Sequence, residues 1–142
     1  LDALAYNVFE TGKIICPIMD ARRNQVYAAF YMWENGKMLR LTDHMAESID
    51  RIIEIAEILQ QEVIFLGDGV PVHRAKLEQN ENFLFAPAHC NMQRASSVAA
   101  LGMILAEEGL AKSGDEFELI YLRKSQAERE REERLAKEEE QK

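Results

Sequence analysis

The chain has 142 residues and a formal net charge of −8, with 47% hydrophobic and 30% charged residues. That length fits one domain with a sizeable core. The negative balance excludes direct, autonomous binding to nucleic acid as the first reading, because phosphate neutralisation needs a basic face, though it permits work beside RNA through a basic partner.

In chain order, Leu1, Leu4, Ala5 and Val8 share one face, which predicts a helix over residues 1–9, stopped by Gly12. Ile14 to Met19 is an apolar run that predicts a buried strand, and its Pro17 argues for an edge or a strand end. Cys16 within it reads as a small core residue. Gln25 to Trp33 is aromatic and β-branched, and Asn35-Gly36 between it and the run Met38 to Thr42 is a strong hairpin signal. These runs predict a three-stranded antiparallel meander.

The character then changes. Ser48 is a good N-cap for a helix whose stripe is Ile49, Ile52, Ile53, Ala56 and Leu59. Glu62 to Leu66 predicts a strand ending in Gly67-Asp68-Gly69, and Pro71 opens a helix with Val72, Ala75 and Leu77 inward. Phe83 to Phe85 predicts a short strand. Ala95 to Glu108 predicts a helix capped by Ser96 or Ser97, with Val98, Leu101, Ile104 and Leu105 as its apolar face and Gly109 as terminator. Phe117 to Leu122 is the last strand expected, with Arg123 at its rim. The order is that of an α/β fold with a mixed sheet covered by helices. Residues 124–142 lose their apolar content, and Glu130–Arg134, Glu133–Lys137 and Glu138–Lys142 stand at i,i+4, which predicts a charged, partly helical tail after a domain spanning residues 1–123.

No nucleotide-binding Gly-Lys loop, zinc-binding helix, Cys-x-x-Cys pair or serine elbow is present, and no catalytic or metal-ligating set emerges. His44, His73 and His89 are scattered and read as surface or loop residues. Two distant cysteines, Cys16 and Cys90, do not make a disulfide scaffold. The apolar runs are too short for a signal peptide or a membrane span, which makes the cytoplasm the default compartment. Leu1 at the start predicts a fragment, a processed product or a trimmed chain. Two loops stand out. At Asp20-Ala21-Arg22-Arg23-Asn24 an acid closes a strand, and two arginines that can grip a phosphate or a carboxylate form a hairpin tip. Gly67-Asp68-Gly69 joins a strand to a helix, where backbone N–H groups can face a phosphate. By spacing alone, each reads first as an ordinary turn.

Four segments in order carry a resemblance: Asp20-Ala-Arg-Arg-Asn-Gln-Val-Tyr27, Gly67-Asp-Gly-Val70, Pro87-Ala88 before an Ala-rich helix, and Ile120-Tyr-Leu-Arg-Lys-Ser-Gln-Ala-Glu-Arg-Glu130. Together they are similar to the C-terminal half of the TsaB (YeaZ-type, glycoprotease-like) family of bacterial tRNA threonylcarbamoyladenosine biosynthesis proteins. Leu1 to Ala5 looks like the helix that opens that half. The resemblance implies a ribonuclease-H-like half of the actin/Hsp70/sugar-kinase fold. It places Asp20, Arg22 and Arg23 in a vestigial phosphate-facing loop, and Gly67, Asp68 and Gly69 in a vestigial adenosine-facing turn. It implies a non-catalytic scaffold for the catalytic paralogue TsaD, alongside the small ATPase TsaE and indirectly tRNA, with no metal and no cofactor in this domain. ATP or ADP belongs, on this reading, to the full complex. The surface around Leu1 to Phe9, left bare without an N-terminal half, suggests a homodimer. The alternative is a stand-alone nucleotide-binding protein or hydrolase of the glycoprotease-like kind.

Overall fold

The computed structural model describes residues 1–122 and 134. Arg123 and the charged pairs expected in the tail lie outside the described residues.

The elements are α1 (Asp2–Ala5), β1 (Ile14–Asp20), β2 (Gln25–Ala28), β3 (Tyr31–Glu34), β4 (Lys37–Arg40), β5 (Met45–Ser48), α2 (Ile49–Ile58), β6 (Val63–Leu66), α3 (Gly69–Leu77), β7 (Phe83–Phe85) and α4 (Ala95–Glu107). One sheet holds all seven described strands. On one side of β1 lie the antiparallel β2 and β3, with β5 and β4 beyond them, and on the other lie the parallel β6 and β7. The expected meander is present, extended by β5, which pairs with β2 from Gln25↔Ser48 to Ala28↔Met45. Three steps along one strand, Ala28 to Tyr31, face five on the other, Arg40 to Met45. The surplus is a two-residue bulge that bends the outer strand.

Pro17 does not mark an edge. It sits in β1, the central strand, paired with Leu66 of β6. Ile14 donates to the Glu62 carbonyl on the β6 side at 3.1 Å, so alternation turns the Pro17 nitrogen to the opposite edge. There the register holds, Ile15↔Tyr31 and Ile18↔Ala28, but the ladder breaks at Ala29 and Phe30. A proline has no N–H to give, so β2 and β3 are one run interrupted where that donor is missing. Phe30 turns the other way, donating to Thr42 Oγ1 at 3.1 Å and accepting from Leu41 N at 2.7 Å.

Alternation along β1 sends Ile14, Cys16 and Ile18 into a core with Ile49, Ile52 and Ala56 of α2 and Val70 and Leu77 of α3. Ile15 faces the other side, with Leu4, Ala5, Val8, Tyr31 and Leu66. Ser48 caps α2 as expected, its Oγ accepting from Arg51 N at 3.2 Å. Burying Ile49 and Ile52 fully contributes about 1.5–3 kcal/mol each.

Several expectations fail for local reasons. The first helix is a single turn, Asp2–Ala5, followed by turns through Val8. In α3, Val72 and Ala75 are exposed and His73 is buried in their stead. The helix starts at Gly69, two residues before Pro71, so its inward face is Gly69, Val70, His73 and Leu77. Arg94 occupies the N-cap position of α4, while Ser97 is turned inward; Val98 is exposed. Phe117 to Leu122 forms no strand and lies open to solvent for most of its length, because no sheet edge takes it up.

Candidate functional site

Because β1 and β6 run parallel, their carboxyl ends lie side by side, where an open α/β sheet presents ligand-binding loops. The chain therefore brings the two singled-out loops together: the Asp20 N–H donates to Asp68 Oδ1 at 3.1 Å. Sequence spacing alone gave no sign of that bond.

The hairpin tip is tightly wound. Arg22, Arg23 and Asn24 all adopt left-handed backbone, with φ of 61°, 53° and 61°. Each costs of order 1–3 kcal/mol in an unsupported chain. The turn is held by Ala21 N to Gln25 O at 2.9 Å, Gln25 N to Arg22 O at 3.0 Å and Arg22 N to Asp20 Oδ1 at 2.9 Å. Asn24 anchors it laterally. Its amide donates to Asp50 Oδ2 at 2.9 Å, its carbonyl accepts from Ile49 N at 3.0 Å, and Lys76 Nζ reaches Asp50 Oδ1 at 2.6 Å. The Lys76 bond, with that of Asn24, holds the Asp50 carboxyl below its ordinary range. The Arg22 and Arg23 side chains are exposed and make no ion pair among the described residues.

At the second loop, Gly67 has φ +110°, and a Cβ there would collide with the Ile18 carbonyl; one on Gly69 would lie 3.1 Å from the same oxygen. Packing against β1 thus demands the glycine at Gly67 and leaves only a tight fit for a Cβ at Gly69. The Gly67 N–H is engaged by Asn91, through its carbonyl at 2.9 Å and its Oδ1 at 3.1 Å, and Asn91 Nδ2 reaches the Gly67 carbonyl at 3.3 Å. The segment carrying Asn91 is itself held. Asn7 Nδ2 donates to the Cys90 and Met92 carbonyls, both at 2.9 Å, and Ser97 Oγ donates to Asn7 Oδ1 at 2.5 Å. Asn7 and Asn91 carry no local motif, so sequence reading passed over them, and Ser97, read there as a helix cap, bonds Asn7 instead.

His73 is the correction of most consequence. It is 6% exposed, and its Nε2 is the one fully buried side-chain polar atom without a partner among the described residues. Burial lowers its pKa, against the opposing pull of Asp20 and Asp50. Among the described residues, no group of three or more His, Cys, Asp or Glu side chains has the geometry to hold a metal.

The backbone donors of Asp20, Ala21, Arg22, Gln25, Gly67 and Val70 are already taken, and the Asp20 and Asp68 carboxylates stand at the same place. The exposed Arg22 and Arg23 side chains stand beside those carboxylates on the same hairpin tip. The arrangement is a closed joint between two strand ends.

Comparison with known proteins places the chain. Residues 1–130 match the family described as TsaD, tRNA N6-adenosine threonylcarbamoyltransferase. The chain is 30% identical over 105 residues to the tRNA threonylcarbamoyladenosine biosynthesis protein TsaB of Bacillus subtilis, covering 72% of this chain and 45% of that protein. Two structures from Pseudomonas aeruginosa share the fold. A protein with similarity to peptidase YEAZ has a TM-score of 0.69 at 20% identity, over 87% of this chain and 56% of that one. YeaZ has a TM-score of 0.64 at 16% identity, over 85% and 56%. The chain spans about half the length of these relatives.

Proposed function

Since this chain belongs to the TsaD family of tRNA N6-adenosine threonylcarbamoyltransferases and within it is of the TsaB/YeaZ type, we propose that it serves tRNA threonylcarbamoyladenosine biosynthesis as a non-catalytic scaffold. Its partner is the catalytic paralogue TsaD, with the ATPase TsaE beside it and tRNA contacted indirectly. The observation that carries this reading is the 30% identity to TsaB over 105 residues.

The joint at Asp20 and Asp68 supports a structural role. The Asp20 N–H is taken by the Asp68 carboxylate and the Gly67 N–H by Asn91, so these donors tie the two loops together. On this reading ATP and ADP bind elsewhere in the complex. The negative charge of the chain is consistent with tRNA reaching it through a partner.

The test is co-purification of the chain, in its family-length form, with the catalytic paralogue, together with measurement of threonylcarbamoyladenosine in tRNA after deletion of the gene. A complex and a loss of the modified nucleoside are expected. No complex and unchanged tRNA would overturn the proposal. Turnover of ATP or a peptide by the purified protein, abolished by Asp20→Ala, would instead favour a stand-alone hydrolase.

A further inference from the structure

Away from the joint, one carboxylate oxygen gathers side chains from three other segments. Asp2 Oδ1, on α1, accepts from Tyr31 Oη of β3 at 2.8 Å and lies 3.2 Å from His44 Nε2 and 3.7 Å from Arg40 Nη1 of β4. His44 Nε2 in turn stands 3.2 Å from Arg40 Nη1 and 3.2 Å from Tyr31 Oη. His44 belongs to the surplus residues between β4 and β5, so the bulge is what brings its ring to α1.

These distances cannot all be bonds at once. A guanidinium only donates, a carboxylate only accepts, and one imidazole nitrogen either carries a hydrogen or is bare. A bare Nε2 accepts from Arg40 but turns its lone pair on the Asp2 oxygen. In the imidazolium, Nε2 donates to Asp2 in a charge-assisted bond but sets its charge against Arg40. Each state satisfies one neighbour and frustrates the other. In the neutral ring Arg40 has the stronger claim, because Asp2 already accepts from Tyr31 while Nε2 is the nearer of the two acceptors beside Arg40 Nη1. Burial pushes the Asp2 carboxyl up, yet Tyr31 and His44 outweigh it and the net shift is downward, so Asp2 stays an anion where histidines change charge. Among the described residues, the other titratable groups facing His44 are the chain's amino terminus and, across a cavity, Tyr27 and Tyr121. Asp43, next to it in the chain, is exposed.

We propose that His44 is a proton-operated clasp between α1 and the sheet: taking up a proton moves its bond from Arg40 on β4 to Asp2 on α1 and draws residues 2–9 tighter onto the sheet. The bistable element is this choice of partner, and the proton biases it. The molecule carries its own reporter. Trp33, the single tryptophan, donates from Nε1 to the Val8 carbonyl at 2.6 Å, and its ring meets those of Tyr6 and Phe9 at 5.4 and 4.8 Å between centroids.

Imidazole 15N NMR and Trp33 fluorescence of the 142-residue chain, followed from about pH 8 to pH 5, test this together. At the alkaline end a bare Nε2 with a protonated Nδ1 is expected for His44. At the acid end both nitrogens are protonated, and Trp33 emission moves to shorter wavelength with the same midpoint. Amide exchange at Ala5 and Tyr6, corrected for its intrinsic pH dependence, should slow by about tenfold or more, the effect of one charge-assisted hydrogen bond. His44→Gln should abolish the Trp33 and exchange changes although His73 remains. Asp2→Asn should lower the midpoint and Arg40→Gln should raise it, each by about half a pH unit or more; a merely structural contact gives no such opposed shifts. Arg40→Gln, at a half-exposed side chain, carries the test if Asp2→Asn does not fold. A neutral ring protonated on Nε2 overturns the proposal. So does a Trp33 change that persists in His44→Gln, or a midpoint that Arg40→Gln leaves unmoved or lowers.

Discussion

Replacing Gly67 by alanine tests the joint at its tightest point. Two separate costs arise. A non-glycine residue at φ +110° is strained by about 1–3 kcal/mol. The added Cβ also overlaps the Ile18 carbonyl, which is backbone of the central strand and cannot rotate away as a side chain would; overpacking of this kind costs about 1–3 kcal/mol. The expected loss is therefore about 2–6 kcal/mol, against a total stability of about 5–15 kcal/mol for a domain. Gly102→Ala is the control. Its Cβ meets nothing within 4 Å in mid-helix, so it should gain about 0.5–1 kcal/mol. Urea unfolding, followed by far-UV circular dichroism and by the fluorescence of Trp33, measures both. A Gly67→Ala loss below about 1 kcal/mol would refute the account, because a strand that yields so cheaply is no rigid anchor.

Three further outcomes are expected. The folded-state pKa of His73 lies below the ordinary 6.5 because burial disfavours the imidazolium. Stability tied to neutral His73 is therefore full above about 6.5 and falls as the pH drops from there towards the lowered value, so urea midpoints should decline across that interval and His73→Leu should flatten the decline. Asp2 behaves differently: burial pushes its carboxyl up, but bonds from Tyr31 Oη at 2.8 Å and from His44 at 3.2 Å outweigh it, and the net shift is downward. Tyr31→Phe should raise the Asp2 pKa in a carboxyl-detected NMR titration, and an unmoved value would assign the shift to His44 alone. Asn91→Ala removes the side-chain bonds at Gly67 and should cost about 1–3 kcal/mol, with hydrogen exchange quickened at Gly67 more than at Ile64.

Much of this fold was legible because its signals are local. Ser48 with a stripe at Ile49, Ile52 and Ala56 specifies α2 without reference to the rest of the chain, and Asn35-Gly36 specifies the turn from β3 to β4. Pro17 misled because its penalty depends on where the missing N–H points, which only the pairing partner decides. The run from Phe117 to Leu122 has the composition of a strand, but a strand needs a free edge in register, and composition does not say whether one exists. His73 was misread because the start of α3 sets its inward face, and Gly69 begins the helix two residues before Pro71. At the candidate site, Asp20, Gly67, Asp68 and Gly69 stood out by their positions at the ends of predicted strands, but not their contact with each other. Asn7, Asn91 and Ser97 act only through contacts over 24 residues or more along the chain, so no short pattern reveals them.

The rims of the sheet bear on how copies of this chain meet. A bare strand edge is a template onto which another chain can add, and proteins blunt such edges with shortness or charge. Here β7 offers only three residues, Phe83–Phe85, and β4 is bracketed by Lys37 and Arg40. Growth of the sheet from molecule to molecule, the route to open-ended aggregates, is discouraged along β7 and β4.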